Sequence, residues 1–262
     1  MRRLAIALLL LAAVAASAPA RADFDHTHAA WTALLAKHVV IDGGKASKVR
    51  YAGVAADRAA LKAYLASLAA VSEAEFRGYT REQRLAFLIN AYNAYMIEKV
   101  LTRYPDIRSV WDFGKLVGNP FKDRFFTLLG KPMSLDGIEH DTIRAPGAFD
   151  EPRIHFAVNC ASIGCPMLRE EAYVPARLER QLEEQTRRFL SDRSRNRVDG
   201  AAGVIEVSRI FDWYGKDFRG LEAWLAARAD QLSDNPEERA RIREGRLRIR
   251  FLDYDWALNA AS

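Results

Sequence analysis

The segment TREQRLAFLINAYNAYMIEKVLTRYP, residues 80–105, limits the fold more than any other part of the chain. Leu85, Leu88, Ile89, Tyr92, Tyr95 and Met96 form one stripe at helical spacing, and Phe87, Ala91, Ala94 and Leu101 occupy the opposite side. A helix that is apolar nearly all round must be covered on all sides, so the rest of the fold has to wrap it. Thr80 and Gln83 have capping-box spacing at its start, and Pro105 stops it. Asn90 and Asn93 lie one turn apart in this apolar setting, and buried amides must find partners. They either bond neighbouring backbone or line a polar pocket.

The flanking sequence indicates what does the wrapping. Residues 26 to 103 read as helical, interrupted by an irregular stretch, VVIDGGKASKVRYAGV. The piece ADRAALKAYLASLAAV is amphipathic through Leu61, Tyr64, Leu65 and Leu68. Beyond Pro105, the short runs FFTLLG, GKPMSLDGIEHDTIR, RIHFAVN, GVIEVSRIF and RLRIRFLDYDW read as strands bounded by Gly and Pro. VPARLERQLEEQTRRFLSD reads as a further helix, and DWYGKDFRGLEAWLAARA as a turn followed by a helix. The expectation is an α+β fold in which N-terminal helices and a buried central helix pack against a mainly antiparallel sheet.

The first 22 residues, MRRLAIALLLLAAVAASAPARA, combine a basic start, an apolar run and a small-x-small end, which predicts a cleaved secretory signal peptide. That leaves residues 23–262 as one globular domain, periplasmic or secreted, with no stable membrane span after cleavage. The leader carries Arg2, Arg3 and Arg21 and no acid, so the net charge of +5 falls to +2 without it. The remaining basic residues are interleaved with Glu and Asp, which argues against nucleic-acid binding.

Four motifs, FLINAYNAY, SLDGIEHDTIR, RIHFAVNCASIGCPML and FLDYDWALN, occur in order from Phe87 to Asn259, within a stretch of resemblance that begins at about Tyr51. In this the chain resembles an uncharacterised family, domain of unknown function 547. The resemblance implies a single domain, often exported in bacteria, with no established activity, substrate or cofactor. Only positions transfer: Asn90, Asn93, Glu139, His140, Arg144, His155, Cys160 and Cys165.

Both cysteines lie in RIHFAVNCASIGCPML. Export and an even cysteine count favour a Cys160–Cys165 disulfide that holds a loop. Such a short loop contributes only about 2 kcal/mol. The alternative is a nucleophile: Cys160 with His155, with His140, or with a histidine oriented by Glu139. If RIHFAVN is a strand, His155 and Cys160 point to opposite faces, which weighs against the simple dyad. A zinc site from the two histidines and two cysteines matches no standard spacing, and a redox enzyme of thioredoxin type lacks its CxxC. No metal and no cofactor is therefore expected. Papain-like and transglutaminase-like enzymes also pair a buried central helix with a histidine-bearing sheet, but their nucleophile opens that helix, and this one contains no cysteine. Arg144 is expected either in an ion pair or, with a histidine, at an anionic ligand. Trp213, Tyr214, Tyr254 and Trp256 are expected in the core.

The resulting functional expectation is an envelope module that binds a small molecule or an envelope protein. Its pocket would be formed by Asn90, Asn93, Arg144 and His155, with the disulfide at its rim. The alternative is a hydrolase or transferase using Cys160 with His155 or His140.

Overall fold

Thr80 starts the long helix as its capping box requires. Its hydroxyl accepts from the Gln83 amide (3.2 Å), and the Gln83 side chain accepts from the Thr80 amide (2.8 Å). The computed structural model describes residues 23–114 and 118–261. The signal-peptide reading of residues 1–22 lies outside the described residues.

Helices α1 (Ala29–His38), α2 (Tyr51–Ala56), α3 (Arg58–Ala70) and α4 (Glu73–Gly78) precede α5 (Arg81–Leu101). Every residue of α5 from Leu85 to Leu101 is buried, as its two-sided apolar pattern demands. Two of these are charged, and both are paired. Glu98 receives Arg58 and Lys62 at 2.6 and 2.8 Å, and Lys99 reaches Asp123 at 2.8 Å. Unpaired, either charge would make this burial prohibitively costly.

The stretch expected to be irregular contains a hairpin, β1 (Val39–Asp42) and β2 (Ala46–Val49). Gly43 and Gly44 supply its turn in the left-handed region (φ 56° and 72°), which other residues avoid. A second hairpin pairs β3 (Phe126–Leu128) with β4 (Lys131–Met133). After α6 (Leu135–Ile138) and α7 (Leu178–Leu190) comes a three-stranded sheet of β5 (Arg197–Asp199), β6 (Val204–Val207) and β7 (Arg248–Phe251). In it β5–β6 is antiparallel and β6–β7 parallel. Helices α8 (Ile210–Trp213), α9 (Leu221–Ala226), α10 (Ala229–Leu232) and α11 (Pro236–Arg243) lie between β6 and β7. The fold is α+β, with its strands divided among small antiparallel and mixed sheets.

Two segments expected as strands are helical. Of GKPMSLDGIEHDTIR, Lys131–Met133 is the strand β4, but the remainder, SLDGIEHDTIR, forms α6 and then a π-helical turn, Glu139–Ile143. Ser134 explains the start, since its hydroxyl accepts from the Gly137 amide at 3.0 Å. RIHFAVN enters a 3-10 turn, Pro152–Phe156, because Pro152 sets the first φ and the Glu151 carboxylate accepts from the Arg153 amide. The strand-parity argument separating His155 from Cys160 therefore does not apply.

The core has two parts. The larger surrounds α5. The smaller packs Phe156, Phe189, Phe211, Phe218 and Leu225 beneath the mixed sheet. Among the described residues, no helix is long and apolar enough to cross a membrane.

Candidate functional site

Residues from both cores surround a cavity of about 360 Å³. Tyr92 of α5, Asp136, Glu139 and His140 of the α6–π segment, His155, Cys160 and Cys165 line it. Trp213, Tyr214, Tyr254 and Trp256 continue the wall, and Trp111, edge-on to Trp256 at 5.1 Å, and Phe121 complete it. Of the four closing aromatics, expected in the core, Tyr214, Tyr254 and Trp256 pack against it as well as lining the cleft, and only Trp213 is exposed. Trp213 is 45% exposed and stacks on Trp256 with ring centroids 5.6 Å apart.

The floor is a line of charges. Asp136 and His140, which line the cavity, and Arg144, which does not, follow one another at i, i+4 spacing. His140 Nε2 lies 3.8 Å from Asp136, and Arg144 donates to His140 Nδ1. Donation to Nδ1 selects the tautomer with its proton on Nε2, facing Asp136. Arg144 also grips Asp217 with two hydrogen bonds, 2.6 and 3.1 Å. His155 is buried between two carboxylates, its Nε2 at 2.8 Å from Asp217 and its Nδ1 at 3.6 Å from Glu139. Tyr214 stacks on the His155 ring at 3.9 Å, and the Arg144 guanidinium sits over the Tyr214 ring at 4.8 Å.

This packing sets the proton affinities. Hydrogen bonds from His155 and then Arg144 outweigh burial and hold Asp217 well below the usual carboxylate range. Burial pushes Glu139 up, but His155, His140 and Tyr214 together bring it below its ordinary value. Asp136 goes the other way, raised chiefly by burial.

The two thiols are free, with sulfurs 2.7 Å apart. The expected Cys160–Cys165 bond is not present, since a disulfide requires about 2.05 Å. Cys160 is half-buried and Cys165 buried. Burial disfavours the Cys160 thiolate, but hydrogen bonds from the Cys165 thiol and the Ser162 and Tyr254 hydroxyls outweigh it and lower the pKa to about 7. Cys165 is pushed the other way, by burial and by the neighbouring Cys160 charge. Neither histidine is among the hydrogen-bond partners of Cys160. Among the described residues, no three His, Cys, Asp or Glu side chains are grouped to hold a metal ion.

The asparagines of α5 act on backbone. Asn93 donates to the Ala157 carbonyl (3.0 Å) and accepts from the Asn159 amide (2.8 Å). Asn90 does the same for Tyr173, donating at 2.7 Å and accepting at 3.0 Å. Asn93 thus satisfies the backbone where the chain leaves the 3-10 turn. Neither amide lines the cavity.

Asn159 carries the connection onward to the cysteine loop. Its side chain accepts from the Ala161 amide at 2.9 Å and donates to the Pro166 carbonyl at 2.7 Å. Ala161 is held at φ 64°, a conformation that costs a non-glycine residue about 1–2 kcal/mol. The C-terminal segment then braces the loop from outside. Ile163 and Gly164 donate to the Ala257 and Asp255 carbonyls, both at 2.8 Å, and Asn259 donates to Ala161 at 3.0 Å. A Cβ on Gly164 would meet the Asp255 backbone at 3.0 Å, which explains glycine there.

Of the residues expected to form the pocket, His155 lines the cavity, whereas Arg144 stands outside it on Asp217 and Asn90 and Asn93 bind backbone; the candidates Glu139, His140, Cys160 and Cys165 also line it. Sequence reasoning missed Asp136, Asp217 and Ser162 and did not place Tyr214 and Tyr254 at the cleft. Asp136 has a signal in hindsight, i, i+4 from His140. Asp217 has none, being 62 residues from the histidine it holds.

Fold and cleft together define an α+β protein that keeps a dithiol and a carboxylate–imidazole floor inside an aromatic-walled cleft. Residues 76–190 match the family described as "Protein of unknown function, DUF547", and the chain resembles that family. The matched segment runs from α4 to the end of α7 and includes the floor and both cysteines. Trp213, Tyr214, Asp217 and Tyr254 lie beyond it. No curated protein and no solved structure matches the chain.

Proposed function

We propose that the protein is an exported binding module of the cell envelope whose cleft takes a short peptide segment presenting an apolar or aromatic side chain. The cleft wall carries this reading: Trp111, Phe121, Trp213, Tyr214 and Trp256 surround a floor of hydrogen-bond acceptors, Asp136 and Glu139. Mostly apolar walls with a few placed polar groups are the usual composition of a ligand site, and about 360 Å³ holds a fragment of a few side chains. Peptide and amino-terminal N–H groups are donors that the two carboxylates would receive.

The expected anionic ligand fits this geometry less well, because the Arg144 guanidinium is already paired with Asp217. The alternative, a hydrolase or transferase using Cys160 with His155 or His140, needs a ring nitrogen on the thiol. Neither ring bonds Cys160: Arg144 donates to His140, His155 bonds Asp217 through Nε2, and the partners of the Cys160 sulfur are Ser162, Tyr254 and Cys165.

Fluorescence titration with short Phe- and Tyr-containing peptides tests the reading. Binding is expected, and Trp213→Ala should weaken it about tenfold, the loss of one aromatic stacking contact of roughly 1–1.5 kcal/mol. No response to any such peptide, or equal affinity in the variant, would refute it.

A further inference from the structure

We propose that Cys160 and Cys165 form a thiol–disulfide exchange centre acting on a disulfide presented in the aromatic cleft, with Cys160 attacking and Cys165 resolving. The exchange chemistry is an activity beyond binding; the preference for a peptide disulfide rests on the cleft reading above.

The two cysteines have unequal positions, and exchange needs that asymmetry. Cys160 is half-buried on the cleft wall, where an incoming disulfide can reach it. Cys165 also borders the cavity but is only 4% exposed, its sulfur 2.7 Å from that of Cys160 and accepting the Cys160 amide at 2.8 Å. Three groups converge on the Cys160 sulfur: the Cys165 thiol, the Ser162 hydroxyl at 3.0 Å and the Tyr254 hydroxyl at 3.2 Å, with Ser162 also donating to Tyr254 at 3.3 Å. Such a setting favours the thiolate, which is the attacking species. A thiolate whose pKa lies near ambient pH, as about 7 does, combines a high ionised fraction with retained nucleophilicity. The loop is pinned on both sides, by Asn159 from within and by residues 255–259 from outside. The sulfurs therefore need to move by less than an ångström to reach bonding distance of about 2.05 Å.

The steps balance. The Cys160 thiolate attacks a substrate R–S–S–R′, forming Cys160–S–S–R and releasing R′S⁻, which takes a proton from solvent. Cys165 then attacks the Cys160 sulfur, its proton passing to the departing RS⁻. The substrate is reduced by two electrons to two thiols, and the protein is oxidised to the Cys160–Cys165 disulfide.

The test uses the reduced protein with oxidised glutathione and, separately, with peptides bridged by a disulfide and flanked by aromatic residues or by glycine. Intact-mass analysis of the wild type should show loss of two hydrogens, release of two equivalents of glutathione and no lasting adduct. Cys165→Ser, and Cys165→Ala as a check against misfolding, should retain one glutathione on Cys160. Cys160→Ser should leave Cys165 unmodified. Tyr254→Phe should raise the pH midpoint of Cys160 alkylation above about 7 and slow exchange at neutral pH. A lasting adduct on the wild type, no adduct on either Cys165 variant, or modification of Cys165 at the Cys160 rate would overturn the proposal. Exchange with glutathione but no preference for aromatic-flanked peptides would uphold the exchange chemistry and refute the peptide cleft.

Discussion

Replacing Asn93 with Leu removes one side chain and leaves two backbone groups without partners. The Ala157 carbonyl and the Asn159 amide sit in residues 2% and 5% exposed, and the Asn93 amide satisfies both. A buried polar group left unpaired costs about 1–3 kcal/mol. Two of them cost about 2–5 kcal/mol after allowing for the greater apolarity of Leu. At roughly 2–4 °C per kcal/mol for a chain of this size, the melting temperature should fall by roughly 5–15 °C. Thermal melts followed by circular dichroism, with urea titrations for the free energy, measure this directly. Asn90→Leu is the internal comparison, since it strands the Tyr173 amide and carbonyl in the same way and should lose a similar amount. Only the Asn93 change releases the backbone amide of Asn159, the residue whose side chain holds the cysteine loop. Cys160 alkylation should therefore change more in Asn93→Leu than in Asn90→Leu. A melt within about 0.5 kcal/mol of wild type, the range of surface substitutions, would refute the reasoning.

Two further outcomes are expected. The folded-state pKa of Asp217 is depressed, so the unfolded chain binds its proton more readily; the stability Asp217 contributes is present above about pH 4 and is lost as pH falls. Asp217→Asn should therefore be less stable than wild type at neutral pH and converge with it towards about pH 2, whereas a gap independent of pH would contradict the assignment. For export, intact-mass analysis of the secreted protein should find Asp23 at its start; a chain retaining Met1 would remove the leader reading.

Local chemistry made the central helix legible. Its capping pair, its two-sided apolar pattern and its proline stop are all within one segment, and the structure reproduces each of them. The α+β class followed from the change of texture after Pro105. The segments misread as strands, SLDGIEHDTIR and RIHFAVN, are short apolar runs where period alone does not separate strand from buried helix. In both, a local cap decided the outcome: Ser134 onto Gly137, and Glu151 beside Pro152.

The sequence by itself determined the buried helix, the need of its two amides for partners, and the segments that supply the floor and the thiols. Tertiary structure alone decided that those amides bind backbone 64–83 residues away, that Asp217 takes Nε2 of His155 while Glu139 lies 3.6 Å from its Nδ1, and that the C-terminal Tyr254 reaches Cys160. The physical reason is range. Caps and periodicity act within a turn or two of chain, whereas the proton affinity of a thiol depends on whichever donors packing delivers to it, and their sequence separation leaves no local trace.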